Sequence, residues 1–476
     1  MKKGDIIELS IEDYAFEGKG VAKINIELEG EIKKFVVFVN GTYPGDVVKA
    51  EIRRKKKSYA EAIVSEFIKK APERISAKCT YFGVCGGCKA QDLDYDTQVK
   101  YKADQVRDVF ERIGGLSGFE ILPPLKAPRI FFYRNKMEFS FADKRWLYPH
   151  EISGENEIVD RNFALGLHIP RMFDKVLDIN ECFLQSEESN KILNFTREFF
   201  KSRGETIYST KIHEGYLRHL VIKQSFFTND LMVNLVTSES KPDLFKEYTD
   251  SLIEIIPGIT TIINNVNEKK SQTAYGDYEI IYHGDGYIFD TIGDYKFRIS
   301  ANSFFQTNTI QAEFLYKTAL EFAGLTGEEV VYDLYSGAGT ISIYVSVKAR
   351  EVIGFETVDP AVEDAVFNAG LNNIDNVNFV NANLDKSFLH FLKEYKIPAP
   401  DVIIADPPRS GMNPKTVNDI LTLMPPKIVY VSCNPSTQAR DIKLLCDGGY
   451  RLVQYQPVDM FPHTYHVENV ALLVKD

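Results

Sequence analysis

The feature that most constrains the fold is a run of five short apolar strands, alternating with helix-forming sequence, after about residue 300. They lie in "EVVYDLYSGAGT", "EVIGFETVD", "VNFVNANL", "DVIIADPPRSG" and "KIVYVSCNP". Alternation of this kind indicates a parallel α/β sheet. Such sheets bind ligands outside the carboxyl ends of their strands. We therefore look for function first at these strand ends.

The earlier part of the chain has a different pattern. Residues 1 to about 68 alternate apolar and polar positions between Gly, Asn and Asp breaks. This predicts about five strands in a small closed β-barrel, a class that commonly binds oligonucleotides. We expect three parts in a mixed α/β protein: an OB-like β-barrel (residues 1–70), a mixed, mostly strand-like central domain (71–295) and a Rossmann-like domain (296–476).

One amphipathic helix is expected over residues 94–114, closed by Gly114 and Gly115. It lies in the central part of the sequence and is a candidate to pack on the C-terminal domain. No apolar run reaches the roughly 18 residues of a membrane helix. The first residues turn acidic too soon for a signal peptide. We therefore expect a cytoplasmic protein with no membrane contact.

The net charge of −11 argues mildly against a nucleic-acid partner. Net charge is a global average, however, and nucleic acids bind local patches. One basic run, Arg53 to Lys57, could be such a patch or equally a solvated turn.

The first α/β turn suits a cofactor. Gly337 and Gly339 permit a tight turn, and Glu356 ends the next strand near the position where an acidic residue binds ribose hydroxyls. Ser342 replaces the third Gly of a dinucleotide fingerprint. A nucleoside cofactor without phosphates, such as S-adenosylmethionine, tolerates that replacement. The alternative is a purely structural turn with an exposed Glu.

Three reactive groups follow. Asp406 ends the fourth strand, Cys433 ends the fifth, and Glu468 opens the last strand after a loop with His463 and His466. Methylation of uracil at C5 needs such a set: a thiolate that adds at C6, a methyl donor, and a base that removes the C5 proton. Taken singly, Cys433 could be a small core residue and Glu468 an exposed strand start.

Four further cysteines indicate a metal site. Cys79, Cys85 and Cys88 are tightly spaced, and Cys182 is the remaining cysteine outside the C-terminal half. Four thiolates suit either tetrahedral zinc or an iron–sulfur cluster, and their spacing does not decide between them.

The motifs "DLYSGAGT", "DPPRSG", "VSCNPST" and "FPHTYHVENVALL" together resemble the RNA uracil-5-methyltransferase family. Its 23S rRNA members also carry an N-terminal TRAM domain and an iron–sulfur cluster, and the resemblance covers essentially the whole chain. It implies a Rossmann-like methyltransferase domain, S-adenosylmethionine, an RNA partner, and a [4Fe–4S] cluster on the four cysteines. No obligate protein partner is evident.

The resemblance also implies residue roles. Cys433 would be the nucleophile and Glu468 the general base. Phe304 would stack on the flipped uracil, although it could be a core residue, and Arg409 would contact the substrate. The cofactor contacts would be Gln306, Tyr335, Gly337, Thr340, Glu356, Asn383 and Asp406. Among these, Thr340 stands where relatives often have Asn.

The expected function is formation of 5-methyluridine in 23S rRNA. One alternative is the T-loop of tRNA, against which the TRAM-like barrel and the cysteine cluster argue, because tRNA members typically lack both. Another is a non-catalytic RNA-binding assembly factor. Candidate RNA contacts besides the basic run are Arg134, Lys136 and Arg218.

Overall fold

The N-terminal part of the chain forms a six-stranded sheet in this computed structural model, which describes residues 1–28, 31–152, 161–170, 172–270 and 273–476. The strands are β1 (Ile6–Ser10), β2 (Asp13–Ala15), β3 (Lys19–Leu28), β4 (Glu31–Asn40), β5 (Val47–Lys55) and β6 (Tyr59–Lys69). Their order is β1-β5-β6-β4-β3-β2. β1 also contacts β3, so the sheet curls around an apolar core that includes Leu9, Val37 and Val48. The sequence predicted five strands, and the three-residue β2 is the additional one.

The expected helix over 94–114 is present as α1 (Tyr95–Asp108), extended by a π-helical turn, Val109–Ile113, and ending at Gly114. Its first turn is capped by Asp94, whose side chain accepts a hydrogen bond from the Thr97 N–H at 3.1 Å. A two-residue strand, β7 (Glu120–Ile121), follows.

The central part of the chain is a seven-stranded sheet with helices against it. Its elements are β8 (Lys136–Ala142), α2 (Pro149–Ile152), β9 (Ala164–Ile169), β10 (Met172–Asp178), α3 (Glu187–Ser202), β11 (Leu217–Gln224), β12 (Leu231–Thr237), α4 (Pro242–Ile255), β13 (Thr261–Val266) and β14 (Tyr278–His283). The strand order is β10-β9-β8-β11-β12-β13-β14. A hairpin of β15 (Tyr287–Ile292) and β16 (Tyr295–Ser300) then leads to the C-terminal part.

The C-terminal part alternates helices and strands, as the sequence predicted. Its elements are α5 (Thr309–Ala323), β17 (Val330–Leu334), α6 (Thr340–Ser346), β18 (Glu351–Glu356), α7 (Asp359–Leu371), β19 (Val377–Asn381), α8 (Leu389–Glu394), β20 (Val402–Ala405), α9 (Pro414–Leu423), β21 (Lys427–Ser432), α10 (Pro435–Asp447), β22 (Tyr450–Val458) and β23 (Glu468–Lys475). Strands β17 to β21 are parallel, which confirms the expected sheet.

The C-terminal sheet has the order β19-β18-β17-β20-β21-β23-β22-β7. Its outer strand β7 therefore comes from residue 120, far before the rest of the sheet. Alternate residues of its strands enter two different apolar cores: Val331 packs on one side and Tyr332 on the other. α1 belongs to the second side, where its Val106 is fully buried.

In the parts of the chain that the structure describes, no helix combines the length and the apolar character that crossing a bilayer requires.

Candidate active site

The expected nucleophile and base meet where two neighbouring strands end and begin. β21 ends at Ser432, one residue before Cys433, and β23 begins at Glu468. The two strands are antiparallel, and Ser432 pairs with Asn469. One step further in this register, Cys433 comes opposite Glu468. The sheet thus brings the thiol and the carboxyl group together at one edge.

A second carboxyl group, that of Asp406, lies at the same edge. β20 ends at Ala405, which pairs with Tyr430 of β21. Burial, together with the charge of Asp333, raises the pKa of Asp406 to about 7. Burial and the nearby Asp406 raise the pKa of Glu468 to about 8. Both groups are therefore much stronger bases than ordinary carboxylates, and both change protonation near neutral pH.

The side chain of Cys433 is held mainly in its protonated thiol form by these surroundings. Burial, followed by the charges of Glu468 and Asp406, raises its pKa to about 12. The guanidinium of Arg409 acts in the opposite direction, through its charge and through a hydrogen bond to the sulfur. Because the thiolate is the reactive form of cysteine, Arg409 is the neighbour that favours nucleophilic attack.

The first turn of α10 and the loop before β23 fix the position of Arg409. Its backbone carbonyl accepts hydrogen bonds from Nδ2 of Asn434 at 2.9 Å and from Oγ1 of Thr437 at 3.2 Å. Its Nη2 atom lies 3.4 Å from Nδ1 of His466. Burial and the positive charge of Arg409 lower the pKa of His466 to about 4, so the imidazole is neutral and can accept this contact. Sequence reasoning gave His466 no role.

The loop that leads into β23 is held from a distant part of the sequence. Nζ of Lys102 donates to Oδ1 of Asp459 at 2.6 Å, and both side chains are buried. The backbone N–H of His463 donates to Oε1 of Gln98 at 2.9 Å, and its carbonyl accepts from the N–H of Lys89 at 2.7 Å. Helix α1 and the cysteine-rich segment therefore support the loop that leads to Glu468.

The glycine-rich turn curls towards the end of β18. The N–H of Gly337 donates to Oε2 of Glu356 at 2.9 Å. Tyr335 and Gly339 have left-handed backbone angles, with φ of 67° and 79°. A Cβ at Gly339 would lie 2.7 Å from the ring of Phe379, whereas nothing lies within 4 Å of a Cβ at Gly337. The turn thus packs tightly at one glycine and leaves open space at the other.

The other cofactor candidates lie in varied surroundings. Gln306 is buried, and its backbone carbonyl accepts from Nδ2 of Asn135 at 2.7 Å. Asn383 is exposed. Oγ1 of Thr340 lies 2.8 Å from the hydroxyl of Tyr316, so a protein partner already engages it. Their roles at a cofactor remain predictions.

Phe304 is 65% exposed, so the alternative of a core phenylalanine is wrong. A large apolar side chain in this position is available for a ligand. Its role in stacking on the target base, like the substrate role of Arg409, remains a prediction.

The four clustered cysteines line one cavity of about 190 Å³. Burial raises the pKa of Cys88 to about 12 and that of Cys182 to about 11. The N–H of Gly87 lies 3.3 Å from Sγ of Cys85, and Nε2 of Gln91 donates to Sγ of Cys88 at 3.4 Å. Among the described residues, no group of three or more His, Cys, Asp or Glu is arranged to hold a metal ion. The four side chains share one space without forming a compact ion-binding group.

The basic candidates for RNA contact separate into different environments. Every residue of the run Arg53 to Lys57 is exposed. Arg218 is buried, and its Nη1 donates to the carbonyls of Asn267 at 2.7 Å and Lys269 at 2.9 Å. It holds a loop inside the protein, so its assignment as an RNA contact was wrong. Arg134 lines the cysteine cavity.

Comparison with known proteins agrees with this arrangement. The family model described as tRNA (Uracil-5-)-methyltransferase matches residues 289–476, and the TRAM domain model matches residues 1–65. An uncharacterized RNA methyltransferase of Chlorobaculum tepidum is 44% identical over 99% of this chain and 96% of its own length. One from Bacteroides thetaiotaomicron is 44% identical over 96% of this chain and 99% of its own.

One solved structure is similar along the whole chain. The tRNA (uracil-54, C5)-methyltransferase of Pyrococcus abyssi, in complex with S-adenosyl-L-homocysteine, has a TM-score of 0.73 and 30% identity. The match covers 98% of this chain and 99% of that one. Because a tRNA enzyme matches nearly the whole chain, the overall architecture does not decide between rRNA and tRNA as the substrate. By its sequence and fold, this chain belongs to the RNA uracil-5-methyltransferase family and begins with a TRAM domain.

Proposed function

We propose that the protein transfers a methyl group from S-adenosylmethionine to C5 of a uridine in RNA, with Cys433 as nucleophile and Glu468 as general base. The observation that carries this proposal is the pairing of β21 with β23, whose register sets the thiol opposite the buried carboxyl group. Asp406 raises the pKa of both groups, and Arg409 lowers it.

The residues at the strand ends fit the cofactor. Glu356 accepts a backbone hydrogen bond at Oε2 and two at Oε1, so Oε2 keeps a lone pair for a ribose hydroxyl. The space beside Gly337 leaves room for a nucleoside to approach the backbone. Further contacts would come from Gln306, Tyr335 and Asn383. When bound, the cofactor supplies an electrophilic methyl group and a positive charge.

The reaction would run in three steps. The thiolate of Cys433 adds to C6 of uracil, which makes C5 nucleophilic as part of an enolate. C5 would then take the methyl group that the bound cofactor supplies. Finally, the carboxylate of Glu468 accepts the C5 proton, the C5–C6 double bond re-forms, and the thiolate of Cys433 leaves.

The raised pKa of Glu468 supports its role. An ordinary glutamate, with a pKa near 4.5, is too weak a base to remove a carbon-bound proton efficiently at neutral pH. A pKa of about 8 is much closer to the pH at which the enzyme would work. Its deprotonated fraction grows as the pH rises through this value.

We also propose that Cys79, Cys85, Cys88 and Cys182 hold a [4Fe–4S] cluster. They line one cavity, and N–H groups of Gly87 and Gln91 point at two of the sulfur atoms, as they do around iron–sulfur clusters. Four thiolates would also suit a tetrahedral zinc ion, and the choice of the cluster rests on the family resemblance. Four cysteine ligands leave no iron open for chemistry, which favours a structural role.

For the RNA we propose 23S rRNA, in the cytoplasm. Support comes from the resemblance to family members that combine a TRAM domain with an iron–sulfur cluster. A second candidate, the T-loop of tRNA, is favoured by the whole-chain similarity to the Pyrococcus abyssi enzyme.

The experiment that tests the function is methyl transfer to RNA from a strain lacking the gene. Purified protein is incubated with tritiated S-adenosylmethionine and separated 23S rRNA or tRNA, and 5-methyluridine is mapped by mass spectrometry of RNA fragments. We expect label in 23S rRNA alone. Label in tRNA alone would establish the second candidate, and label in neither RNA would refute the proposed activity.

The cluster is tested separately. We expect anaerobically purified protein to contain about four iron and four sulfide per chain, with absorption of iron–sulfur type. The Cys88→Ser variant should lose this absorption, while Cys446→Ser, which lies outside the cavity, should keep it. Stoichiometric zinc in the wild-type protein would contradict the cluster.

A further inference from the structure

A second cavity, of about 70 Å³, lies against the loop that carries Phe304 and Gln306. Residues of β8, β11 and the hairpin β15–β16 contribute to its walls. The polar lining includes Asn135, Lys136, Lys223, Gln224, Tyr275 and Thr307. Neither Cys433 nor Glu468 lines it, whereas Phe304, the residue expected to stack on the target uracil, stands at its edge. A group bound here would not be the one that reacts at Cys433.

The cavity contains hydrogen-bonding groups that the protein does not fully use. Lys223 is only 4% exposed, and its Nζ donates to the carbonyls of Ser300 at 2.7 Å and Ser303 at 2.9 Å. An ammonium group has three N–H donors, so one remains. Oγ1 of Thr307 is buried with no hydrogen-bond partner among the described residues. Buried polar groups are rarely left without partners, so these two point to a ligand.

The charge of the cavity favours a hydrogen-bond acceptor. Lys136 lies beside Lys223, and burial together with Lys136 lowers the pKa of Lys223 to about 7. Glu279 and Asp364 act in the opposite direction but do not offset the burial. An electronegative atom brought against the two lysines would relieve their mutual repulsion.

Two exposed aromatic rings stand at this cavity. Phe304 is 65% exposed and Tyr275 is 49% exposed. The Nζ of Lys136 lies 6.0 Å from the centre of the Tyr275 ring. Exposed aromatic side chains beside cations are the surfaces on which unpaired RNA bases stack.

We propose that this cavity binds the edge of a second nucleobase of the RNA, one that neighbours the methylated uridine, and that it prefers guanine. The volume admits a ring edge rather than a whole nucleotide, so the ring face would rest on Tyr275, while Phe304 is left for the methylated uridine. Guanine presents two adjacent acceptors, O6 and N7, which suit lysine donors, whereas adenine presents an amino group there. The inference rests on the proposed function, because it takes the substrate to be RNA.

The first experiment does not depend on catalysis. Guanosine and adenosine monophosphates are titrated by nuclear magnetic resonance in excess S-adenosylhomocysteine, which blocks the cofactor site. We expect about ten-fold tighter binding of the guanine nucleotide, and loss of this preference in Lys223→Met. Tyr275→Ala should weaken both nucleotides about ten-fold, while Tyr278→Ala, an exposed tyrosine that does not line the cavity, should change neither. Equal binding of both nucleotides to the wild-type protein would overturn the proposal.

The second experiment uses an RNA hairpin transcript that contains the mapped uridine. Each neighbouring nucleotide is replaced in turn by an abasic one. At one guanosine position we expect KM to rise about ten-fold for the wild-type protein with little change in kcat, and no further rise for Lys223→Met. If Lys223→Met and the abasic replacement each raised KM independently, so that their effects multiplied when combined, the proposal would be overturned. Should Lys223→Met fail to fold, Tyr275→Ala serves in the same comparison.

The two failures are distinguishable. If the wild-type protein methylates no RNA, the proposed function is wrong, while the nucleotide titration still reports on the cavity. If methylation occurs but no abasic position interacts with Lys223 or Tyr275, only the second base site is wrong.

Discussion

Cys433 and three of the four cysteines of the central cavity are half-buried, and only Cys182 is fully buried. Burial raises the pKa of the thiol at Cys433 and at Cys88 alike, to about 12 in both cases. Their neighbours differ. At Cys433 the next influences are two carboxyl groups and the guanidinium of Arg409. At Cys88 they are an amide hydrogen bond from Gln91 and three other cysteines. The groups around a thiol, rather than its burial, therefore distinguish the proposed nucleophile from the proposed cluster ligands.

The largest effect is expected at the nucleophile. Cys433→Ser should lower methyl transfer at least about 10³-fold, because the hydroxyl is a far weaker nucleophile than a thiolate. Tritium incorporation into RNA measures it, and an unchanged melting temperature shows that the fold is kept. Cys446→Ser is the matched control and should retain activity. A Cys433→Ser variant with wild-type activity would remove the distinction between the two cysteine environments.

The second-largest effect on activity is expected at Glu468, the proposed general base. Glu468→Gln should lower turnover by about 10²–10⁴-fold, because the amide cannot accept the C5 proton. A covalent protein–RNA adduct should then accumulate, visible as a slow band with labelled RNA on a denaturing gel. The double variant Cys433→Ala with Glu468→Gln should form no adduct, and an adduct in that variant would assign the bond to another side chain.

The third effect concerns Arg409, which lowers the pKa of both Cys433 and Glu468. In Arg409→Met both pKa values should rise further, so that both groups ionise at higher pH. The ascending limb of the pH–rate profile should move to higher pH, and a limb that moves by about one pH unit costs about ten-fold in rate at neutral pH. Arg409→Lys, which keeps a positive charge, should lie between the two. Single-turnover rates from about pH 6 to 9.5 measure this, and an unmoved limb would show that Arg409 does not act through charge.

The smallest effect on activity is expected from a substitution in the cavity lined by the four cysteines. Cys88→Ser should abolish iron binding and lower the melting temperature by about 5 °C, while methyl transfer at low temperature falls only a few-fold. Metal analysis, thermal melting and tritium incorporation check the three parts. A loss of activity as complete as that of Cys433→Ser in folded protein would give the cavity a catalytic role.

The sequence predicted the strand ends well because five parallel strands bring their carboxyl ends to one edge, whatever the details of packing. Cys433 and Asp406 could be placed in this way, and Glu468 followed once β23 was paired with β21. The burial of Arg218 could not be seen, because β11 is buried along nearly its whole length and shows no alternation. The π-helical end of α1 and the two-residue β7 also leave no periodic signal.

The contact between Lys102 and Asp459 was equally out of reach, because no local pattern links positions 357 residues apart. The same holds for the contact between Nη2 of Arg409 and Nδ1 of His466, two residues that lie 57 positions apart. Residue types could suggest the reactive groups, but the supports of the site depend on long-range packing.

The pairing of Lys102 with Asp459 also has a consequence for biosynthesis. A ribosome adds about 5–20 residues per second, so α1 leaves the tunnel roughly 20–70 s before its buried partner exists. During that time the side chain of Lys102 has to remain hydrated, and α1 cannot pack against the C-terminal sheet. The N-terminal sheet can form as it emerges, whereas the C-terminal sheet, which takes β7 from residues 120–121 and β23 from residues 468–475, closes only after synthesis is nearly complete.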